Sequence, residues 1–208
     1  NMKTIILIVA LILVVFLGNF RLLLFNDIFY EKEFDKLNVY EKIPKEEAIK
    51  NTNILLEKIH YNTPIETDFF NEKEKQHMDN VQNLMQKAFF LLSISVIAVI
   101  VFSILNIKRL STPFIISGTI IILLVIFSSL INFDKVFLQL HEISFTNDLW
   151  KLNPQTDNLI KLFPQQFFYD FVKTVFIKSA LIGLILIISG LLLRNVEQPS
   201  KIFPITSK

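Results

Sequence analysis

The sequence contains no cysteine. Disulfides, thiol nucleophiles and thiolate metal sites are excluded with it. The four glycines, Gly18, Gly118, Gly183 and Gly190, are scattered and form neither a phosphate-binding loop nor a dinucleotide fingerprint. No serine sits in the G-x-S-x-G elbow of a serine hydrolase. ATP-driven transport and standard serine hydrolysis therefore have no support. Charge of one sign is also missing: a formal net charge of +2 gives no basis for nucleic-acid binding. Histidine occurs only at His60, His77 and His141, and tryptophan only at Trp150.

What the chain has in abundance is apolar length. Of its 208 residues 52% are hydrophobic, and the mean hydropathy is +0.49. A bilayer core of ~30 Å is crossed by about 20 apolar residues in a helix. Four runs reach that length, at about 4–25, 88–105, 113–131 and 171–193. The first lacks a small-x-small cleavage site and stays apolar beyond Gly18 through Leu22 and Phe25, so it reads as a retained anchor. The expected fold is an all-α polytopic membrane protein with four transmembrane helices, a single membrane domain over residues 1–208.

Charge asymmetry sets the expected orientation. The short segments 1–3, 106–113 and 194–208 carry Lys3, Lys108, Arg109, Arg194, Lys201 and Lys208 against one acid, Glu197. The positive-inside rule puts both termini in the cytoplasm and leaves the long segments 26–87 and 132–170 extracytoplasmic.

Within the first long segment, residues 27–41 mix aromatics with charges and read as an extended or interfacial strap. Pro44 suits a helix first turn, followed by Glu46 and Glu47 at its positive end. Ala48, Ile49, Leu55 and Ile59 then recur at helical spacing to about His60. Asn71 with Glu74 three residues on is a helix start. Met78, Val81, Met85 and Ala88 carry one apolar stripe from there into the second span, predicting one helix over 72–106. His77 then stands about 11 residues, or roughly 16 Å, outside the span. Phe133, Phe137 and Leu140 prolong the third span in the same way. If that helix continues unbroken, His141 lies about 10 residues, or roughly 15 Å, out. Two histidines from different segments are thus expected at similar height on neighbouring helices.

The stretch from Phe137 to Asp170 is neither apolar enough to cross a membrane nor polar enough for an ordinary loop. Trp150, Phe163, Phe167, Phe168 and Tyr169 suit a membrane–water interface. Pro154 and Pro164 break the stretch, and Leu159, Ile160, Leu162 and Phe163 make an apolar face beside Lys161. It is expected to lie along the outer leaflet as a lid or wall.

His60 reads as structural. His77 is accompanied by Glu74 and Asp79, and His141 by Glu142 and Asp148. Imidazoles titrate near neutrality, so such a pair can take and return protons without a metal. A zinc site from His77, His141 and an acid is the competing reading, but no H-E-x-x-H spacing supports it. Asn147 and Asp148 before Trp150 equally fit a helix cap and an interfacial anchor. Arg21 reads as a residue that snorkels to the headgroups, where it can meet a lipid carbonyl or phosphate.

The E-x-x-H-M run from Glu74 to Met78 pairs with a later block. That block is His141, then Asn147-Asp148-Leu149-Trp150, Leu152-Asn153-Pro154, Thr156-Asp157, Leu159-Ile160, Phe163-Pro164 and Phe167-Phe168. Together, over nearly the whole chain, they resemble the bacterial lipoprotein intramolecular transacylase family. Departures from that pattern are Asp79, which follows Met78 directly so that Asn80 stands where the family has Asp, Asn153 in place of Asp, and Gln165 where an acid is common.

The resemblance implies an acyltransferase of the bacterial cell membrane with its site at the outer leaflet. It would move the sn-2 acyl chain of a diacylglyceryl-cysteine lipoprotein onto the cysteine α-amine. The product is an N-acyl S-monoacylglyceryl, or lyso-form, lipoprotein. His77 and His141 would make the proton transfers. Glu74, Asp79, Asn147, Asp148, Trp150 and Asp157 would orient them or face the oxyanion. No cofactor is implied, and the partners are the lipoprotein substrate and membrane lipids. An outer-leaflet deacylase using the same histidines on water, and a non-enzymatic envelope sensor using them as pH-responsive groups, are the alternatives.

Overall fold

The computed structural model describes residues 2–197; Lys201 and Lys208, which entered the charge count, lie outside them. All regular structure among the described residues is helical. The α-helices are α1 (Met2–Leu24), α2 (Asp27–Lys36), α3 (Lys45–Tyr61), α4 (Glu72–Leu105), α5 (Ser111–Ser128), α6 (Phe133–Ser144), α7 (Asn158–Leu162) and α8 (Gln165–Glu197), with single 3₁₀ turns at Val39–Glu41 and Ile107–Arg109. Four of them, α1, α4, α5 and α8, are long and apolar enough to cross a membrane. The residues pack as two compact units.

Among the described residues, the first unit takes those up to Asn19, Leu91–Leu130 and those from Val175 to Glu197. Its helices turn apolar faces outward, as with Ile94, Ile97, Val101 and Ile104 on α4 and Leu184, Ile188 and Leu191 on α8. Such faces are stable against hydrocarbon, where helices satisfy their own backbone. The helices hold together through small and polar residues, as lipid-embedded helices do. A Cβ on Gly118 of α5 would collide with the Gly183 carbonyl of α8, and one on Gly190 would meet the Ser111 carbonyl and Ile115. Asn19 Nδ2 of α1 donates to Ser179 Oγ of α8 at 3.2 Å.

The second unit comprises Phe20–Phe90 and Ile131–Thr174. Residues 27–36 are not a strap but the helix α2, whose N-cap Asn26 accepts from the Phe29 N–H at 2.9 Å. Tyr30 and Phe34, four residues apart on one face, are buried against Phe167 and Phe163. Lys36 ties α2 to the start of α8 by bonding Asp170 at 2.8 Å while also meeting Glu33 at 3.0 Å. Pro44 stands just before the first turn of α3, which buries Ala48, Leu55 and Ile59. That helix ends at Asn62 in the left-handed region, φ 59°, which Asn tolerates better than most residues.

The third span does not run on to His141. It ends at Ser128, and α6 begins afresh behind Asn132, whose side chain accepts from the Lys135 N–H at 3.1 Å. The apolar stripe is continuous in sequence, but the amide cap starts a separate helix.

Candidate active site

The second unit builds one site on α4, α6 and the segment that follows α6. The N-terminus of α4 is fixed by a reciprocal capping box. Asn71 Oδ1 accepts from the Glu74 N–H at 3.0 Å, and Glu74 Oε2 accepts from the Asn71 N–H at 2.7 Å. The other carboxylate oxygen, Oε1, accepts from the Leu159 N–H of α7 at 2.5 Å. Glu74 is only 1% exposed, so this buried carboxylate is held by backbone donors on two elements. It sits one turn before His77 on the same helix.

His77 is buried, 6% exposed. On α6, Phe133, Phe137 and His141 recur every four residues and share a face. Phe133 packs on Tyr169 and Phe137 on Phe168, each with ring centroids 5.3 Å apart. This anchorage presents His141 to α4, and the two imidazoles stack with centroids 6.3 Å apart and planes 29° from parallel. Phe145, four residues further on, contacts His77 at 5.2 Å and His141 at 5.7 Å. Trp150 covers His141 at 5.2 Å.

Hydrogen bonding defines one tautomer. His141 Nδ1 lies 2.7 Å from the Phe137 carbonyl oxygen. A carbonyl oxygen only accepts, so Nδ1 carries the proton in the neutral ring and Nε2 keeps the lone pair. His77 Nδ1 is buried without a hydrogen-bond partner. Burial, then the neighbouring His141 and Lys73, push the His77 pKa down to about 4. His77 is therefore neutral at physiological pH, and one ring of the pair resists a second positive charge.

The other predicted residues divide into those near this pair and those tied up elsewhere. Asp157 accepts from Asn71 Nδ2 at 3.0 Å, the Asn153 N–H at 2.8 Å and Thr156 Oγ1 at 3.1 Å. Burial raises its pKa, but these bonds and the Lys73 charge outweigh that and hold it below the usual range. Asp157 thus fastens the α7 segment to α4. Asp79 pairs with Lys58 at 2.6 Å and Asp148 with Lys151 at 2.7 Å. Asn147 accepts from the Leu149 N–H at 3.1 Å in a local turn. Gln165 bonds Asp134 at 2.9 Å. Arg21 lies over the Phe89 ring, 4.8 Å from its centroid, and His60 packs edge-on against Phe25 at 5.0 Å. Among the described residues no three His, Asp or Glu side chains form a metal-ligating group. Sequence reasoning missed Phe145, although the spacing Phe137, His141, Phe145 already placed it on the site's face. It also missed the Phe137 carbonyl, which no side-chain pattern reveals.

A family model for the lipoprotein intramolecular transacylase Lit matches residues 5–168. An uncharacterized protein of Aquifex aeolicus (strain VF5) is 28% identical over 206 residues, covering 88% of this chain and 94% of its own. The fold is that of the membrane integral lipoprotein intramolecular transacylase Lit from Bacillus cereus, seen in meso. The TM-score is 0.87 at 19% identity, over 96% of this chain and 97% of that one. A form of that protein with one histidine replaced by arginine matches at a TM-score of 0.80 and 18% identity, over 96% and 94%. With the family model spanning well over half of its residues, this chain belongs to the Lit family of lipoprotein intramolecular transacylases.

Proposed function

We propose that this protein moves the sn-2 acyl chain of a diacylglyceryl-cysteine lipoprotein onto the α-amine of the same cysteine. Residues 1–208 act in this reading as one membrane domain with both termini in the cytoplasm and the site at the outer leaflet. The observation that carries the proposal is the histidine pair, with rings 6.3 Å apart and one ring held neutral.

The chemistry follows from what each ring offers. The α-amine, whose ordinary pKa is ~8, must lose a proton to attack. His141 Nε2, left with its lone pair by the Nδ1 bond to Phe137, accepts that proton. A nitrogen–carbon bond forms at the sn-2 carbonyl, and the bond from that carbon to the glycerol oxygen breaks. The departing oxygen takes the proton back from the pair. Two charges 6.3 Å apart repel by roughly 2–3 kcal/mol at an effective dielectric of about 20, so the pair carries one proton at a time. His141 passes that proton to His77, which with its pKa near 4 releases it at once to the alkoxide and returns to the neutral form.

Amine and ester arrive in one substrate molecule, so alignment alone can supply up to ~7–11 kcal/mol of the barrier. No coenzyme, nucleotide or enzyme nucleophile enters. Water has to be kept from the ester, and Phe145 and Trp150 stand against the rings where a wall is needed.

The test uses purified protein and a synthetic diacylglyceryl-cysteine peptide. A product of unchanged mass is expected, with fragment ions showing one acyl chain on nitrogen, and none from a peptide whose amine is acetylated. Loss of an acyl mass from both peptides would identify a deacylase instead.

A further inference from the structure

Lys73 precedes His77 by four residues on α4 and therefore lies on the same helix face. Its ammonium is not left to wander. Nζ donates to the Lys151 carbonyl oxygen at 2.5 Å, across 78 residues of chain. Lys151 follows Trp150, the ring that covers His141. The hydrogen bonds of the neighbouring carboxylates go to other groups: Glu74 to the Asn71 and Leu159 N–H groups, Asp148 to Lys151, and Asp157, on which the Lys73 charge also acts, to Asn71, Asn153 and Thr156.

We propose that Lys73 is a positioning residue of the histidine pair, its tethered ammonium providing a fixed positive charge that adds to burial in holding His77 in the neutral form. The charged groups acting on His77 are His141 from α6 and Lys73 from α4, and both oppose its protonation. His141 changes its own charge during the proposed cycle. Lys73 does not, so it biases His77 in the same sense at every stage. The same charge disfavours the ammonium form of an amine bound between the rings, which is the form that cannot attack. The consequence for catalysis rests on the transacylase reading, whereas the effect on His77 does not.

Three variants separate the charge from the tether. Lys73→Gln keeps a donor for the Lys151 carbonyl and removes the charge, Lys73→Arg keeps both, and Lys73→Met removes both. The His77 ring is titrated by NMR in protein labelled with nitrogen-15 histidine, its signal assigned by comparison with His77→Asn. Lys73→Gln and Lys73→Met are expected to raise the His77 midpoint by roughly 0.5–1 unit, and Lys73→Arg to leave it in place. Added salt should shift the wild-type midpoint upward by more than that of Lys73→Gln, where one of the two opposing charges is gone. An unchanged midpoint in Lys73→Gln overturns the proposal. So does a shift accompanied by an altered Trp150 emission in Lys73→Gln, because the tether rather than the charge would then be responsible. In the transfer assay, the acid limb should move up with the NMR midpoint. If the midpoint shifts while wild-type protein transfers no acyl chain, the role of Lys73 stands and the transacylase reading fails.

Discussion

Replacing Glu74 by alanine tests the way the site is held. The carboxylate accepts from the Leu159 N–H at 2.5 Å and from the Asn71 N–H at 2.7 Å, and the side chain is 1% exposed. Removing it leaves two backbone donors unpaired, at ~1–3 kcal/mol each. One of these two is the acidic half of the α4 capping box. The sum is about 2–6 kcal/mol. For a chain of this size 1 kcal/mol corresponds to roughly 2–4 °C, so the unfolding midpoint should fall by roughly 4–24 °C. Glu74→Gln retains one carbonyl acceptor but points its amide N–H₂ at the other donor, and should lose about half as much. Trp150 is the single tryptophan and lies on His141, so its fluorescence reports the site directly during thermal unfolding. A Glu74→Ala protein with unchanged midpoint and unchanged Trp150 emission would refute the reasoning. The Glu74 bonds to α4 and α7 would then not be what organises the site.

Three further outcomes follow from the same geometry. Asp79→Asn and Asp148→Asn should keep transfer rates within about threefold of wild type, because both acids are themselves exposed and pair with lysines, the buried Lys58 and the exposed Lys151, rather than with either histidine; initial rates on the synthetic lipopeptide check this. The His77 pKa is depressed to about 4, so the unfolded chain binds more protons between about pH 6.5 and 4 and stability falls as the pH falls through that window. Wild type should lose about 3 kcal/mol across it and His77→Asn should not lose that share, as denaturant unfolding at the two pH values will show. Gly118→Ala places a methyl group against the Gly183 carbonyl and Ile187. It should destabilise the protein by about 1–3 kcal/mol with no change in Trp150 emission before unfolding.

Much of the fold is legible because membrane spans and amphipathic helices announce themselves by run length and period. The α4 start is readable too, since Asn71 and Glu74 form a local pattern. The break before α6 is not, because Phe133, Phe137 and Leu140 make the same stripe on a continuous helix and on a restarted one. Only the Asn132 cap separates the two cases, and an asparagine in a turn is commonplace. In residues 27–41 the charges obscured a helix that Asn26 and the Tyr30–Phe34 pair do signal. The histidine pair emerged from counting residues along two helices, although the break makes that count wrong for His141. The rings meet because Phe133 and Phe137 dock on Tyr169 and Phe168. Asp79 and Asp157 are chemically plausible catalytic groups whose real partners, Lys58 and Asn71, are set by tertiary packing that no local spacing encodes.

The most direct measurement uses a diacylglyceryl-cysteine peptide deuterated only in its sn-2 acyl chain. It is mixed with an unlabelled peptide of different sequence and incubated with wild-type protein, with His77→Asn and with His141→Asn. The account predicts that wild type puts the label on the α-amine of the labelled peptide alone, and that both variants leave it on the glycerol. Label on the second peptide's amine, label lost as free fatty acid, or full transfer by either variant would contradict it.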